Sequence, residues 1–460
     1  MATWLSWDTL TSLRSHQTVI DCLRAFPDWQ ETPQLRKAVA LDVDALCARL
    51  FNIIHTPSQY RALSNLKDHN AQAMLNLLQN LLDSPLLDSR FRNPFVGALL
   101  RLSGKSGLVP EALVQDQVML DVGDAFAAGA FGELYTGSFR GQAVAVKVFK
   151  FYQNTDIARY LKTVSRETLI WRQLFHPHVL PFICVYYYPT DNHPKIGLVS
   201  PWMKHGNVQQ FLRQVPDTDR TSLVVDIAEG LSYLHSMKPK IIHGDLKAVN
   251  VLITDAGTAC IADFGLARAL DSEIVNFSSW SNGHGSGGSL RWMAPELFDQ
   301  EEDAEVCSDT MTDIYAFGSV CYEIFSGCVP FHTITNDYQI MSRIVAGRRP
   351  LRPIVSEPSL QSCSCLGLND DMWLLIEDCW KKDPTGRPTA TEIVSRLPKR
   401  PNKVDTAVGP HPSRILANSS ENIIAWAISH PHRDIEPDAI DGVILEKGKG
   451  LVKVNENLDY

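Results

Sequence analysis

Asp245, Lys247 and Asn250 stand at offsets of two and five residues, between the apolar runs Ile241-Ile242 and Val251-Leu252-Ile253. Thirteen residues beyond Asn250, after Ile261-Ala262, comes Asp263 in Asp263-Phe264-Gly265. An aspartate in such a loop can orient a hydroxyl and accept its proton. A lysine two residues on can offset developing negative charge. An amide oxygen and a second carboxylate form a hard-oxygen pair of the kind Mg²⁺ takes beside phosphate. Upstream, Ala127-Ala128-Gly129-Ala130-Phe131-Gly132-Glu133-Leu134 lies between strand-like runs. Glycines there let backbone N–H groups approach phosphate closely. Lys147 closes the apolar run Val144-Ala145-Val146, where an unpaired ammonium would be costly. Glu167, in the helical stretch Arg166 to Leu174, is its expected partner, and Trp171 shares the Glu167 face one turn on. A phosphate cradle, a neutralising cation, metal ligands and a base are what moving the terminal phosphoryl group of ATP requires.

Each of these signals has a bland alternative. A glycine-rich turn is common, a lysine can leave a strand for water, and Glu167 alone would read as a surface carboxylate. Their fixed order along one chain makes the difference.

In that order the segment 117–397 resembles the protein kinase family, through its glycine loop, Lys147, His243-Gly244-Asp245-Leu246-Lys247 and Asp263-Phe264-Gly265. Ser289-Leu290-Arg291-Trp292-Met293-Ala294-Pro295-Glu296 resembles the end of an activation segment, and Asp313-Ile314-Tyr315-Ala316-Phe317-Gly318 the buried helix whose Asp313 organises the catalytic loop. The resemblance implies an ion pair between Arg387 and Glu296, burial of Phe264 beneath the site, and a two-lobed α+β fold. That fold has a small antiparallel sheet with one helix, then a mainly helical lobe. It further implies an adenine-binding hinge near Ser200-Pro201-Trp202-Met203, with Ala127, Gly129, Gly132, Leu134, Ala145, Ser200 and Met203 around the nucleotide. Pro201 lacks an N–H, so donation to adenine falls to Met203 or a neighbour.

The Trp-Met-Ala-Pro-Glu ending and Cys379-Trp380 are similar to the tyrosine-kinase-like group, which mostly modifies serine and threonine. Lys247 and Ser289 point the same way, and the wording around His243 is similar to kinases expanded in mushroom-forming fungi. Two residues depart from the family pattern. Ala127 replaces the first glycine of the loop, and Gly244 replaces the arginine that would pair with a loop phosphate. Activation is therefore expected to depend little on phosphorylation of Ser278, Ser279, Ser281 or Ser286. The alternative is a pseudokinase, a nucleotide-binding scaffold acting through its N-terminal region. Lys147, Glu167, Asp245, Asn250 and Asp263 are all present, which favours activity. A P-loop fold is disfavoured because no G-x-x-x-x-G-K-[ST] occurs.

Around this core, residues 1–116 read as helical. Leu35, Val39, Val43, Leu46 and Leu50 recur at helical spacing, as do Met74, Leu77, Leu78 and Leu81 after Asn70 as a candidate N-cap. Asn93-Pro94 reads as another helix start. Such stripes are usually core, and a protein partner for these helices is the sharper alternative. Residues 398–460, with Pro401, Pro410 and Pro412, read as a linker and partly disordered tail. Over 460 residues, 45% are hydrophobic, 21% are charged and the net charge is −9, which argues against a nucleic-acid binder. Neither a membrane span nor a signal peptide is expected, and ten scattered cysteines read as reduced thiols, so the expected location is cytoplasmic.

Overall fold

A computed structural model describes residues 33–83, 87–121, 125–128, 132–149, 157–188, 195–265, 267–269, 289–298, 309–353 and 367–398. Gly129, the serines 278, 279, 281 and 286, and the tail beyond 398 lie outside the described residues.

Four helices come first: α1 (Pro33–His55), α2 (Pro57–Ser64), α3 (Asp68–Leu82) and α4 (Ser89–Ser106). Their apolar stripes are core, since Val43, Leu46, Leu50, Met74, Leu77, Leu78 and Leu81 are all buried. Two helix starts differ from expectation. α3 begins after Lys67, which places Asn70 inside the first turn. α4 begins after Asp88, whose carboxylate accepts from Arg90 N–H at 2.9 Å. Pro94 therefore sits in the helix interior, where it removes one main-chain hydrogen bond. An aspartate cap supplies an acceptor to an otherwise orphaned N–H, and that outranks proline's preference for the first turn.

A six-stranded antiparallel sheet follows, in the order β1-β3-β4-β6-β5 with β2 paired to β3. Its strands are β1 (Val118–Leu120), β2 (Ala127–Ala128), β3 (Gly132–Phe139), β4 (Gln142–Phe149), β5 (Cys184–Tyr188) and β6 (Lys195–Pro201). Strand alternation decides what each face carries. Val144, Val146 and Val148 of β4 pack with Val118, Phe139, Cys184 and Val199 in a small outer core. Ala145, Lys147 and Phe149 consequently occupy the opposite face, toward helix α5 (Ile157–Arg172).

The second lobe is mainly helical: α6 (Val208–Gln214), α7 (Arg220–Ser236), α8 (Thr310–Ser326), α9 (Asp337–Val345), α10 (Asp370–Cys379) and α11 (Ala390–Arg396). Short paired strands β7 (Ile241–Ile242) with β10 (Arg268–Ala269), and β8 (Val251–Ile253) with β9 (Ala259–Ile261), frame the loop of Asp245. α8 is buried from Thr312 to Ser326, as expected of a helix that is apolar nearly all round. It is capped by Asp309 at one end and by Gly327, at φ 70°, at the other. The lobes meet where Leu180 N–H donates to Ile261 O at 2.8 Å, and Ile261 N–H returns the bond to His178 O at 2.9 Å. No helix among the described residues is long and apolar enough to cross a membrane, and Cys47, Cys184, Cys260, Cys321, Cys328 and Cys379 are free thiols.

Candidate active site

The inward face of β4 delivers Lys147, and its Nζ donates to Glu167 Oε1 at 2.9 Å and to Asp263 Oδ1 at 2.6 Å. Residues 116 positions apart in sequence are thereby in direct contact. Burial alone would lower the lysine's pKa, but the Glu167 and Asp263 carboxylates outweigh it and hold Lys147 above its ordinary value. Burial raises Glu167, with Lys147 opposing. Burial works against Asp263 too, yet Lys147 wins there and keeps its carboxyl below the usual range. At neutral pH the trio therefore carries its cation with an ionised Asp263. A Cβ on Gly265 would lie 3.3 Å from Asp263 Oδ1, Glu167 Oε2 and Lys147 Nζ alike, so any larger residue would press on all three.

Asp263 adopts φ 67°, a left-handed conformation unusual for a side chain with a Cβ. Its neighbour Phe264 is fully buried and packs against Trp171 at 5.9 Å and His243 at 5.4 Å between ring centroids. Trp171 Nε1 donates to Leu180 O at 2.6 Å, which fixes α5 against the segment leading to β5. The Trp171 ring packs inward, as its position one turn from Glu167 required.

The loop from His243 to Asn250 is held from below. Asp313 accepts from His243 N–H at 2.8 Å, from Gly244 N–H at 2.9 Å and from His235 Nε2 at 2.9 Å. Asp245 N–H donates to His243 Nδ1 at 3.2 Å, so the His243 proton resides on Nε2, which donates to Ala262 O at 3.0 Å. Gly244 has φ 78°, which glycine adopts without strain. Lys247 Nζ donates to Asp245 Oδ2 at 2.8 Å and to Ser289 Oγ at 3.1 Å. Asn250 Nδ2 donates to Asp245 O at 2.8 Å and Asp245 Oδ2 at 3.2 Å.

This donor set fits a hard divalent cation. Asn250 spends its amide N–H groups on Asp245, which leaves the amide oxygen as the group it can offer. Ala262 N–H donates to Asn250 O at 2.8 Å, which brings Asp263 alongside. A carboxylate and a neutral amide oxygen suit Mg²⁺, which keeps further positions for phosphate and water.

Across the sheet, Leu134, Lys147 and Leu198 form one row, and Thr136, Ala145 and Ser200 another. Ala127 pairs with Leu134 and is exposed, and Gly132 pairs with Phe149. At the hinge Trp202 N–H is committed to Ala143 O at 3.1 Å, and Pro201 has none. A free main-chain donor for a ligand at this hinge is thus left to Met203 or a residue beyond it.

The far end of the site is anchored by Arg387, whose guanidinium meets Glu296 in two bonds of 2.6 and 2.7 Å. Sequence reasoning missed Glu323. Its buried carboxylate accepts from Gln209 Nε2 at 2.8 Å, Ala248 N–H at 3.0 Å and Trp292 Nε1 at 2.6 Å. Burial pushes its carboxyl up to about 7, against the lowering effect of the Ala248 and Trp292 hydrogen bonds and of the Lys247 charge. A lone carboxylate inside the apolar run Cys321-Tyr322-Glu323-Ile324-Phe325 was the available signal.

Two lobes, with a lysine–glutamate pair in one and an aspartate–asparagine loop in the other, define a protein kinase domain. The chain belongs to the protein tyrosine and serine/threonine kinase family, whose model matches residues 120–397. Among its relatives, the Arabidopsis thaliana serine/threonine/tyrosine-protein kinase HT1 is 28% identical over 296 residues, 63% of this chain and 68% of that protein. The Arabidopsis serine/threonine-protein kinase STY46 is 30% identical over 60% of this chain and 44% of its own length. Human activin receptor type-1 is 30% identical over 66% of this chain and 61% of that protein. The match to the Arabidopsis probable serine/threonine-protein kinase SIS8 spans only 26% of that relative.

Proposed function

We propose that this chain is an active kinase of the tyrosine-kinase-like group, with its catalytic domain at 117–397, that transfers the γ-phosphoryl group of ATP to serine and threonine hydroxyls of protein substrates. The observation that carries the reading is Lys147 shared between Glu167 and Asp263. In this reading Lys147 is the phosphate-binding cation and Asp263 the metal-binding carboxylate, and their direct contact supports it. When bound at Asp263 and Asn250, Mg²⁺ supplies charge neutralisation on the triphosphate. Asp245 orients the incoming hydroxyl and accepts its proton. Lys247, held between Asp245 and Ser289, offsets charge on the side of the acceptor. Lys147 fixes the phosphates, and Glu167 fixes Lys147.

Serine and threonine are favoured because Lys247 bridges Asp245 and Ser289, and because several relatives carry that specificity in their names. In this reading the chain acts in intracellular signalling, in the cytoplasm. Ala127 and Gly244 are the features on which a pseudokinase scaffold would rest. Neither removes a group that the chemistry needs.

The test is purified full chain with γ-labelled ATP, Mg²⁺ and a generic acceptor protein, followed by phosphoamino-acid analysis. The expected result is phosphoserine and phosphothreonine, abolished by Lys147→Met. Label on tyrosine alone overturns the specificity, and no label with intact nucleotide binding establishes the scaffold.

A further inference from the structure

The N-terminal helices touch the kinase domain at the element that carries Glu167. α4 packs along α5, and the buried α4 residues Phe95, Leu99 and Leu102 belong to the same apolar cluster as Val164, Leu169 and Ile170 of α5. At one end of α5, Arg172 Nη2 meets Asp83 Oδ1 at 2.8 Å, just beyond the last turn of α3. At the middle of α5, Gly107, which caps α4 at φ 72°, accepts through its O from Ser165 Oγ at 3.3 Å. The approach there is close, since a Cβ on Gly107 would lie 3.2 Å from Leu161 Cβ. The chain then continues to the sheet, where Gln115 N–H donates to Val185 O of β5 at 2.9 Å. The region thus grips α5 at its C-terminal end and along its middle, and the edge of the sheet besides.

α5 is also tied to the sheet side by Trp171 Nε1 on Leu180 O and by Ile196 N–H on the Tyr160 hydroxyl, and the N-terminal helices cover its remaining face. Its own contribution to the site is one side chain, Glu167, whose Oε1 must stay within 2.9 Å of Lys147. A rotation of α5 about its axis, or a shift of one or two ångströms, would break that contact, as packed helices shift in switching proteins. We propose that the N-terminal helices are a built-in brace that sets the position of α5, with Asp83 and Arg172 as positioning residues for the Lys147–Glu167 pair. The proposal rests on the kinase reading for its catalytic consequence, though not for its structural one.

Neither Asp83 nor Arg172 touches nucleotide or acceptor. Both side chains are partly exposed, at 24% and 30%, so charge substitutions there are compatible with folding. The experiment uses full-length wild type, Asp83→Arg, Arg172→Asp and the double charge swap. Each is followed by steady-state kinetics with Mg²⁺-ATP and acceptor, and by hydrogen–deuterium exchange of peptides covering α5. In each single variant kcat should fall about fivefold, the scale of a part-exposed ion pair turned repulsive, with KM for the acceptor unchanged. Exchange in α5 should rise while exchange in α8 stays as in wild type. The double swap should restore kcat and exchange to within about twofold of wild type, because the same pair is re-formed with its signs reversed.

Single variants with wild-type kcat and wild-type exchange in α5 overturn the brace. So does a double swap no better than the singles. A wild type that transfers no phosphate refutes the kinase reading instead, and the exchange data then still decide whether Asp83 and Arg172 hold α5.

Discussion

Asp245 is held from several directions before any substrate arrives. Lys247 and Asn250 donate to Oδ2, and Asp245 N–H leans on the ring of His243, which Asp313 holds from beneath. A carboxylate so fixed needs no reorganisation to receive a hydroxyl, which is where positioned acid–base groups gain their effect. Asp245→Ala should therefore lower kcat by on the order of 100- to 10,000-fold, the range for such a group, with the fold unchanged by circular dichroism. Activity within a few-fold of wild type would remove Asp245 from the chemistry. At this scale the sequence was readily legible. On the proposed reading, phosphoryl transfer constrains residue type at Lys147, Asp245, Asn250 and Asp263, and a substitution there would remove a function that no neighbour supplies. Glu323 was less legible because it acts through three partners from separate segments, Gln209, Ala248 and Trp292, none of which sequence spacing connects. Gly244 shows the other side of the same logic. Its φ of 78° is suited to glycine, and the position lacks the guanidinium that a loop phosphate would need. Alanine at Ser278, Ser279, Ser281 and Ser286 together should leave kcat within a few-fold of wild type in the labelled-ATP assay, and loss of activity in a folded protein would refute that independence.

Elements are placed by a few costly contacts, and the Arg387–Glu296 pair is one. The Arg387 side chain is fully buried, bonds Glu296 at 2.6 and 2.7 Å, and donates to Met311 O at 2.9 Å and Lys381 O at 2.8 Å. Removing one member of a buried pair leaves the other charge uncompensated, so Arg387→Ala should cost about 3–5 kcal/mol in urea unfolding. A loss under 1 kcal/mol would mean that Glu296, 25% exposed, finds water instead. Helix starts were the least legible elements. Asn70 and Asn93-Pro94 carry the right chemistry for an N-terminus, but several nearby residues do as well, and capping discriminates among them by only about 1 kcal/mol. Asp88 won the second contest, leaving Pro94 in the interior of α4. Pro94→Ala restores one main-chain hydrogen bond and removes a ring from against the preceding turn. It should raise stability by about 1–3 kcal/mol in the same assay, and a destabilised variant would show that the Pro94 ring is required for packing.

The whole molecule is held by buried polar anchors within an apolar interior that runs from the N-terminal helices through α5 into the second lobe. The apolar stripe of Met74, Leu77, Leu78 and Leu81 was visible in sequence, whereas the surface that covers it was not. Periodicity records that a face is buried without recording against what. The docking of the N-terminal helices on α5 belongs to that hidden class, because it depends on contacts such as Asp83 with Arg172, 89 positions apart. Asp313 is the anchor whose contribution can be read through pH. Burial would raise its pKa, but the hydrogen bonds from His235 and Gly244 hold its carboxyl below the ordinary value. A depressed carboxyl binds its proton less readily in the folded protein than in the unfolded chain. Its stabilisation is therefore complete above the unfolded pKa, about 3.9, and is lost as pH falls toward the lower folded value. Asp313→Asn keeps the size but sets an amide N–H₂ against donors from His243, Gly244 and His235. The substitution should cost about 2–3 kcal/mol at pH 7, the scale of lost hydrogen bonds to a buried charge. Urea titrations of both proteins should give the same gap at pH 5 as at pH 7, and a gap that narrows below about pH 4, as the wild-type carboxyl begins to take up its own proton. A gap that stays constant through that acid range would place the Asp313 pKa at its unfolded value, and the catalytic loop would then be resting on neutral hydrogen bonds rather than on a buried charge.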